Sequence, residues 1–213
     1  MNRSEMASLA VALWERGFAV LLFDFLGCGR SDSGWITLGM DESIEVLSAC
    51  QWCEEKVPGV PRVLVGSSMG GAAAVFALSR DRHAGDALIL DSVFHNAVRA
   101  SLGWWRFLGG LLGVMVLAPT CFFASLWVRK NPWAIHVGRA LRKVRCPVLI
   151  LHGTEDRLTP VKEAEANFEW ANEPKRLLVW EGAGHAEMKW LDLSRYVDEV
   201  LGFLRETGVL HSK

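Results

Sequence analysis

The chain has 213 residues, of which 51% are hydrophobic and 22% charged, with 23 basic residues against 24 acidic ones. A chain of this length buries roughly 70% of its unfolded surface without staples, and the composition excludes a disordered, collagenous or disulfide-stapled protein. The net charge of −1 supplies no overall positive field, so nucleic acid is not expected as a partner.

Taken in chain order, Leu9, Leu13 and Trp14 recur at helical spacing ahead of Gly17, which predicts an amphipathic helix with a glycine end. The same stretch is not expected to be a signal peptide, because Glu15 and Arg16 follow it and no small-residue cleavage site does. Ala19–Phe23 is a continuous apolar run and predicts a strand buried on both faces. Residues 27–34 form a loop, and Asp41–Lys56 reads as a helix ending before Pro58-Gly59. Val63–Val65, Ala87–Leu90, Val148–Leu151 and Arg176–Trp180 are further strands; Ala72–Leu78, Val161–Ala171 and Leu193–Leu204 are further helices. Strands alternating with helices predict an α/β fold, with a mostly parallel sheet and helices on both faces. No repeat or linker divides the chain, so residues 1–213 are expected to form one domain. The stretch from about 95 to 142 interrupts the alternation and reads as an insertion.

Five cysteines at scattered positions read as reduced thiols of a cytoplasmic protein. Cys50-Gln51-Trp52-Cys53 falls inside a helical pattern with no second ligand pair, so it reads as two buried helix positions rather than a zinc or redox site.

Gly66-Ser67-Ser68-Met69-Gly70 lies where a strand ends and a helix of small residues begins. This is G-x-S-x-G in the context that gives it meaning: a sharp turn lifts the Ser68 hydroxyl clear of the sheet, and glycine is expected at both 66 and 70. A serine hydroxyl is a weak nucleophile and needs a base, normally a histidine held by a carboxylate. His152-Gly153-Thr154-Glu155-Asp156-Arg157-Leu158-Thr159-Pro160 follows one later strand and Gly182-Ala183-Gly184-His185 follows the next. Ser68, Asp156 and His185 therefore stand in the order Ser…Asp…His, each just past the C-terminal end of a strand, where open parallel sheets bind ligands.

These stretches, with Phe23-Asp24-Phe25-Leu26-Gly27-Cys28-Gly29-Arg30-Ser31 and Leu90-Asp91-Ser92, resemble the α/β-hydrolase superfamily in its esterase, dienelactone-hydrolase-like and serine-aminopeptidase-like branches. The resemblance spans nearly the whole chain. It implies Ser68 as nucleophile, Asp156 as acid, His185 as base and the backbone N–H of Met69 as one oxyanion donor. Ser67 is a neighbour off the centre of the motif, and the D-x-L-T-P tail favours Asp156 over Glu155. His152 is expected to support its turn. His83, His95, His136 and His211 read as surface or cap histidines, and Asp24 and Asp91 as carboxylates bonding local backbone. No metal and no organic cofactor is implied.

Set against the family pattern, the chain is expected to lack the first three strands, and with them the loop that supplies the second oxyanion donor; losing one donor costs about 10²–10³ in rate. The absent third strand would lie between Ala19–Phe23 and Val63–Val65. A chain that folds alone is expected to close that gap by pairing the two directly.

Phe107–Val128 carries no charge and is long enough to span a bilayer. A single crossing would put Ser68 on one side and Asp156 with His185 on the other. It is therefore expected to form a helical cap over the sheet edge, broken at Gly113 and Pro119, which suits an apolar acyl substrate and can rest on a membrane surface as a peripheral contact. The expected function is a serine hydrolase cleaving an ester, thioester or amide. The competing reading is a truncated hydrolase that is catalytically impaired or does no catalysis.

Overall fold

The computed structural model describes residues 2–128 and 131–210. Among these residues four strands form one sheet: β1 (Val63–Ser67), β2 (Ala87–Asp91), β3 (Val148–Gly153) and β4 (Lys175–Trp180). All neighbours are parallel and adjacent in chain order, with Val65 beside Ile89, Ile89 beside Leu149 and Leu149 beside Arg176. The inner strands β2 and β3 are buried along their whole length, as continuous apolar runs are when helices cover both faces.

Successive side chains of a strand point to opposite faces, and the core divides accordingly. Leu88, Leu90, Val148 and Ile150 meet α3 (Met69–Arg80), α5 (Val137–Leu141) and α6 (Val161–Trp170). Ala87, Ile89, Leu149 and Leu151 meet α1 (Ala7–Trp14) and α8 (Leu193–Glu206). Helix α2 (Glu42–Lys56) lies on α3, with Val46 against Ala73 and Ala77. The three-layer α/β/α arrangement is the one the alternation predicts.

Several expectations need correction. Ala19–Phe23 is not a strand, and β1 pairs with β2 alone, so the expected ladder between the two is not made. Val20 and Leu21 are about 40% exposed rather than buried on both faces (39% and 41%). The segment is instead held at its ends. Phe18 packs into the layer of α1 and α8, while Phe25 packs into that of α2 and α3. The Asp24 carboxylate accepts from Arg3 N at 2.6 Å and from Arg30 N at 3.1 Å. The chain thus passes from one helical layer to the other between Phe18 and Phe25, and its apolar run stays outside the sheet. In α1, Leu9 and Ala12 are buried while Trp14 faces outward. Cys50 and Cys53 do lie in α2, but only half-buried; with Cys28 and Cys146 they are free thiols. Burial pushes the Cys50 and Cys146 thiols up to about 11. The side chain of Cys121 and the whole of His211 lie outside the described residues.

Between β2 and β3 runs α4 (Ala97–Val128), two helical legs joined at Gly110, whose φ of 58° and ψ of −145° only glycine adopts readily. The break is therefore at Gly110, not at Gly113 or Pro119. Gly113 instead lets the legs approach: a Cβ there would stand 2.5 Å from the Trp105 carbonyl oxygen. Pro119 lies within the second leg. The excursion leaves and returns at one place, where Asn96 and His136 form an antiparallel bridge and Ala97 N donates to Ile135 O at 3.0 Å.

Candidate active site

Because the strands are parallel, their C-terminal ends share one edge, and the loops that follow β1, β2, β3 and β4 meet there. At the end of β1 the chain turns through Ser68, with φ 49° and ψ −118°, a conformation few non-glycine residues take up. Ser68 N donates to Asp91 O at 2.9 Å, and Ala72 N donates to Ser68 O at 3.1 Å to open α3. A Cβ at Gly66 would stand 2.5 Å from Gly71 N, and one at Gly71 would run into Val93. At Gly70 a Cβ would meet only Phe25, at 4.0 Å. Gly66 is thus pressed against the backbone of both Gly70 and Gly71, while Gly70 itself has room for a side chain, against the expectation that glycine is needed at both 66 and 70. Met69, 2% exposed, is the first residue of α3. Its N–H has no acceptor one turn earlier in the helix and lies at the electropositive helix end.

The turn after β3 wraps around Asp156. Its Oδ1 accepts from Leu158 N at 2.9 Å and Thr159 N at 2.8 Å; its Oδ2 accepts from Thr159 Oγ1 at 2.6 Å and His185 Nδ1 at 2.7 Å. Burial alone would push the Asp156 carboxyl up, but the hydrogen bond and charge of His185 and the two Thr159 donors outweigh it and hold the carboxyl below its ordinary value. His152, fully buried, donates from Nε2 to Thr159 O at 2.6 Å and so supports this turn. Glu155 is exposed.

His185 follows β4 with its side chain 20% exposed. Donation of Nδ1–H to Asp156 fixes the neutral tautomer with the lone pair on Nε2. Among the described residues no hydrogen bond joins the Ser68 hydroxyl to His185. The structure therefore makes the Asp156–His185 half of the expected contact and not the Ser68 half; such contacts commonly tighten only with substrate bound. The Ser67 hydroxyl donates to Asp91 Oδ2 at 3.2 Å, which ties it to the core.

Three supports were not read from the sequence. Thr159 donates both its N–H and its hydroxyl to Asp156 and lies 3.0 Å from His185 Nδ1; the Thr in L-T-P was its visible signal. Ser92 and Ala186 both have positive φ (55° and 56°), and Ala186 N donates to Ser92 Oγ at 2.9 Å, so the β2 loop holds the His185 loop. Lys189, 2% exposed, donates to Ala186 O at 2.6 Å and to Asp91 Oδ2 at 3.4 Å. The Asp91 carboxylate, also 3.4 Å from Tyr196 Oη, meets side chains of the core rather than the local backbone expected of it. Asp24 does bond backbone, through Arg3 and Arg30. His95 is buried rather than superficial, its Nδ1 3.0 Å from Asn167 Oδ1 and its ring edge-on to His136.

Comparison with known proteins bears on the family and the fold. The profile of the family described as "Alpha/beta hydrolase family" matches residues 3–202. The chain is 30% identical over 212 residues to an uncharacterized protein of Mycobacterium tuberculosis, covering 98% of this chain and 68% of that protein. It is 27% identical over 169 residues to the lysophosphatidylserine lipase ABHD12 of Danio rerio, covering 76% of this chain and 41% of the lipase. In fold it is similar to the Pyrococcus furiosus esterase Pf2001, with a TM-score of 0.74 at 22% identity over 95% of this chain and 75% of the esterase.

Proposed function

Since the chain belongs to the alpha/beta hydrolase family, we propose that it is a serine hydrolase that cleaves a carboxylic ester, or by the same chemistry a thioester or amide, through an acyl-enzyme. The observation that carries this reading is the 2.7 Å bond between His185 Nδ1 and Asp156 Oδ2, at the sheet edge where Ser68 occupies its strained turn. His185 Nε2 takes the Ser68 proton as Oγ attacks the carbonyl carbon, and Met69 N–H holds the oxyanion that forms. Asp156 keeps the imidazole in its tautomer and stabilises the cation. The imidazolium then gives its proton to the leaving alcohol. Water, deprotonated by His185, attacks the acyl-enzyme and releases the acid and Ser68. An esterase and a lipase among the similar proteins favour an ester as the bond cleaved.

In the same reading, residues 95–142 are a cap on one domain. Gly103 supports this, because a Cβ there would stand 3.0 Å from the carbonyl of Leu158, in the turn that holds Asp156. An apolar cap at that place fits an apolar acyl group. The test is turnover of short and long p-nitrophenyl esters. Wild type is expected to hydrolyse them, and His185→Ala to lose a factor of about 10⁴ or more with its folded far-UV spectrum intact. Turnover unchanged by His185→Ala overturns the proposal by placing the base elsewhere, and no turnover by a folded wild type overturns it by leaving a hydrolase fold without catalysis.

A further inference from the structure

From Ser92 to Thr154 the sequence holds eight Lys and Arg residues and no Asp or Glu, although the whole chain carries more acids than bases. The α4 excursion lies inside that stretch. Arg99 and Arg106 are exposed on its first leg, with Arg99 3.6 Å from the carboxylate of the buried Glu163, and Arg129-Lys130 follow the second leg in sequence. Between Arg106 and Arg129 there is no charge at all.

A helix in a soluble protein normally buries an apolar stripe and shows water a polar face. Among the described side chains, helix α4 buries only its base, at Ala97 and Ala100. Phe107, Leu108, Leu111, Leu112, Met115 and Phe123 are 54–76% exposed. Ala97–Pro119 is long and apolar enough to cross a membrane, yet only 6% of its most apolar 18-residue window is buried in the protein. A contiguous apolar surface of this kind marks an interaction site.

The fold also decides how a bilayer would be met. The bridge between Asn96 and His136 brings both ends of the excursion to one place, so it is no single crossing. The first leg, residues 97–109, is about 20 Å long at about 1.5 Å per residue, shorter than the roughly 30 Å of hydrocarbon. Trp104 and Trp133 are exposed, and in sequence they lie two residues from Arg106 and three from Lys130, the composition of a headgroup-level belt. A second copy docking insertion to insertion would bring like charges together.

We propose that the α4 hairpin is a docking surface for an anionic lipid bilayer. Its kinked tip around Gly110 enters the acyl region, while the exposed Arg99 and Arg106 meet the lipid phosphates. Docking places the turn of Asp156 at the bilayer, since Gly103 sits on Leu158; only the corollary that the ester is drawn from the bilayer rests on the hydrolase reading.

The experiment is co-sedimentation of the full chain with sucrose-loaded vesicles of phosphatidylcholine, with or without one part in four phosphatidylglycerol, in about 0.1 M salt. Binding is expected on the anionic vesicles, at least tenfold weaker on the neutral ones and weaker again at 0.5 M salt. Arg106→Gln should weaken it about fivefold, and Leu111→Ser with Leu112→Ser about tenfold or more, both variants melting as wild type does. Ser68→Ala should bind unchanged, so a failed hydrolase reading leaves this result standing. Equal binding to both vesicles overturns the proposal. So does no binding, whether the chain sediments as a monomer or as a dimer that the Leu111→Ser/Leu112→Ser variant abolishes.

Discussion

Helices α8 and α4 sit at opposite ends of the range of burial. The 14-residue α8 turns Tyr196, Val197, Val200, Leu201, Phe203 and Leu204 into the core and leaves charged residues such as Asp198 and Glu199 outside. The 32-residue α4 has no charge over its last 22 residues and leaves Leu111, Leu112 and Phe123 two-thirds or more exposed. One face of α8 is completed by β2 and β3. Around α4 the protein supplies no such second surface among the described residues. Stability is therefore expected to live on the α8 side, and interaction on the α4 side.

The largest test of that contrast is the buried pair under the His185 loop. Lys189→Met leaves the Asp91 carboxylate buried without its cation and should cost about 3–5 kcal/mol in urea denaturation, while adding Asp91→Asn should restore most of it. A double variant as unstable as the single one would show that Lys189 acts through its bond to Ala186 O instead. Phe203→Ala, in the packed face of α8, should likewise cost about 3–5 kcal/mol.

A smaller effect is expected at the edge between the two regions. The folded Asp156 carboxyl is held below its ordinary value, so it binds its proton less tightly than in the unfolded chain, where the value is about 3.9. Its contribution is present above that pH and is lost as pH falls through the folded value. Wild type should lose stability over that acid range more steeply than Asp156→Asn; equal slopes would mean that the His185 and Thr159 bonds do not favour the charged form. The smallest effect belongs to α4. Leu112→Ser should change stability in solution by no more than about 0.5 kcal/mol, and a cost of several would show that the exposed face is covered within the protein.

What could be read from the sequence follows the same division. β2 and β3 declare themselves as continuous apolar runs, and α8 by a helical spacing of apolar residues, because each pattern is what the element's own burial requires. Ser68, Asp156 and His185 were legible because each sits in a motif directly after a strand, so that a parallel sheet alone brings them to one edge. Ser92 and Lys189 were not, since their contacts with Ala186 and Asp91 join loops that only the folded sheet makes neighbours, whereas Thr159 bonds Asp156 within one turn and had its signal in L-T-P. Ala19–Phe23 has the composition of a strand, but pairing depends on a partner that local sequence does not reveal. In α4, Gly109, Gly110 and Gly113 are equivalent as letters; the approach of Gly113 to Trp105 leaves Gly110 to make the kink.

The central claim is that Ser68 is a nucleophile activated by His185 and Asp156, and reaction with a fluorophosphonate followed by peptide mapping tests it most directly. The account predicts one adduct, on Ser68, absent from Ser68→Ala and formed much more slowly in His185→Ala. An adduct on Ser67 or elsewhere, labelling that survives Ser68→Ala, or no adduct on a folded wild-type chain would contradict it.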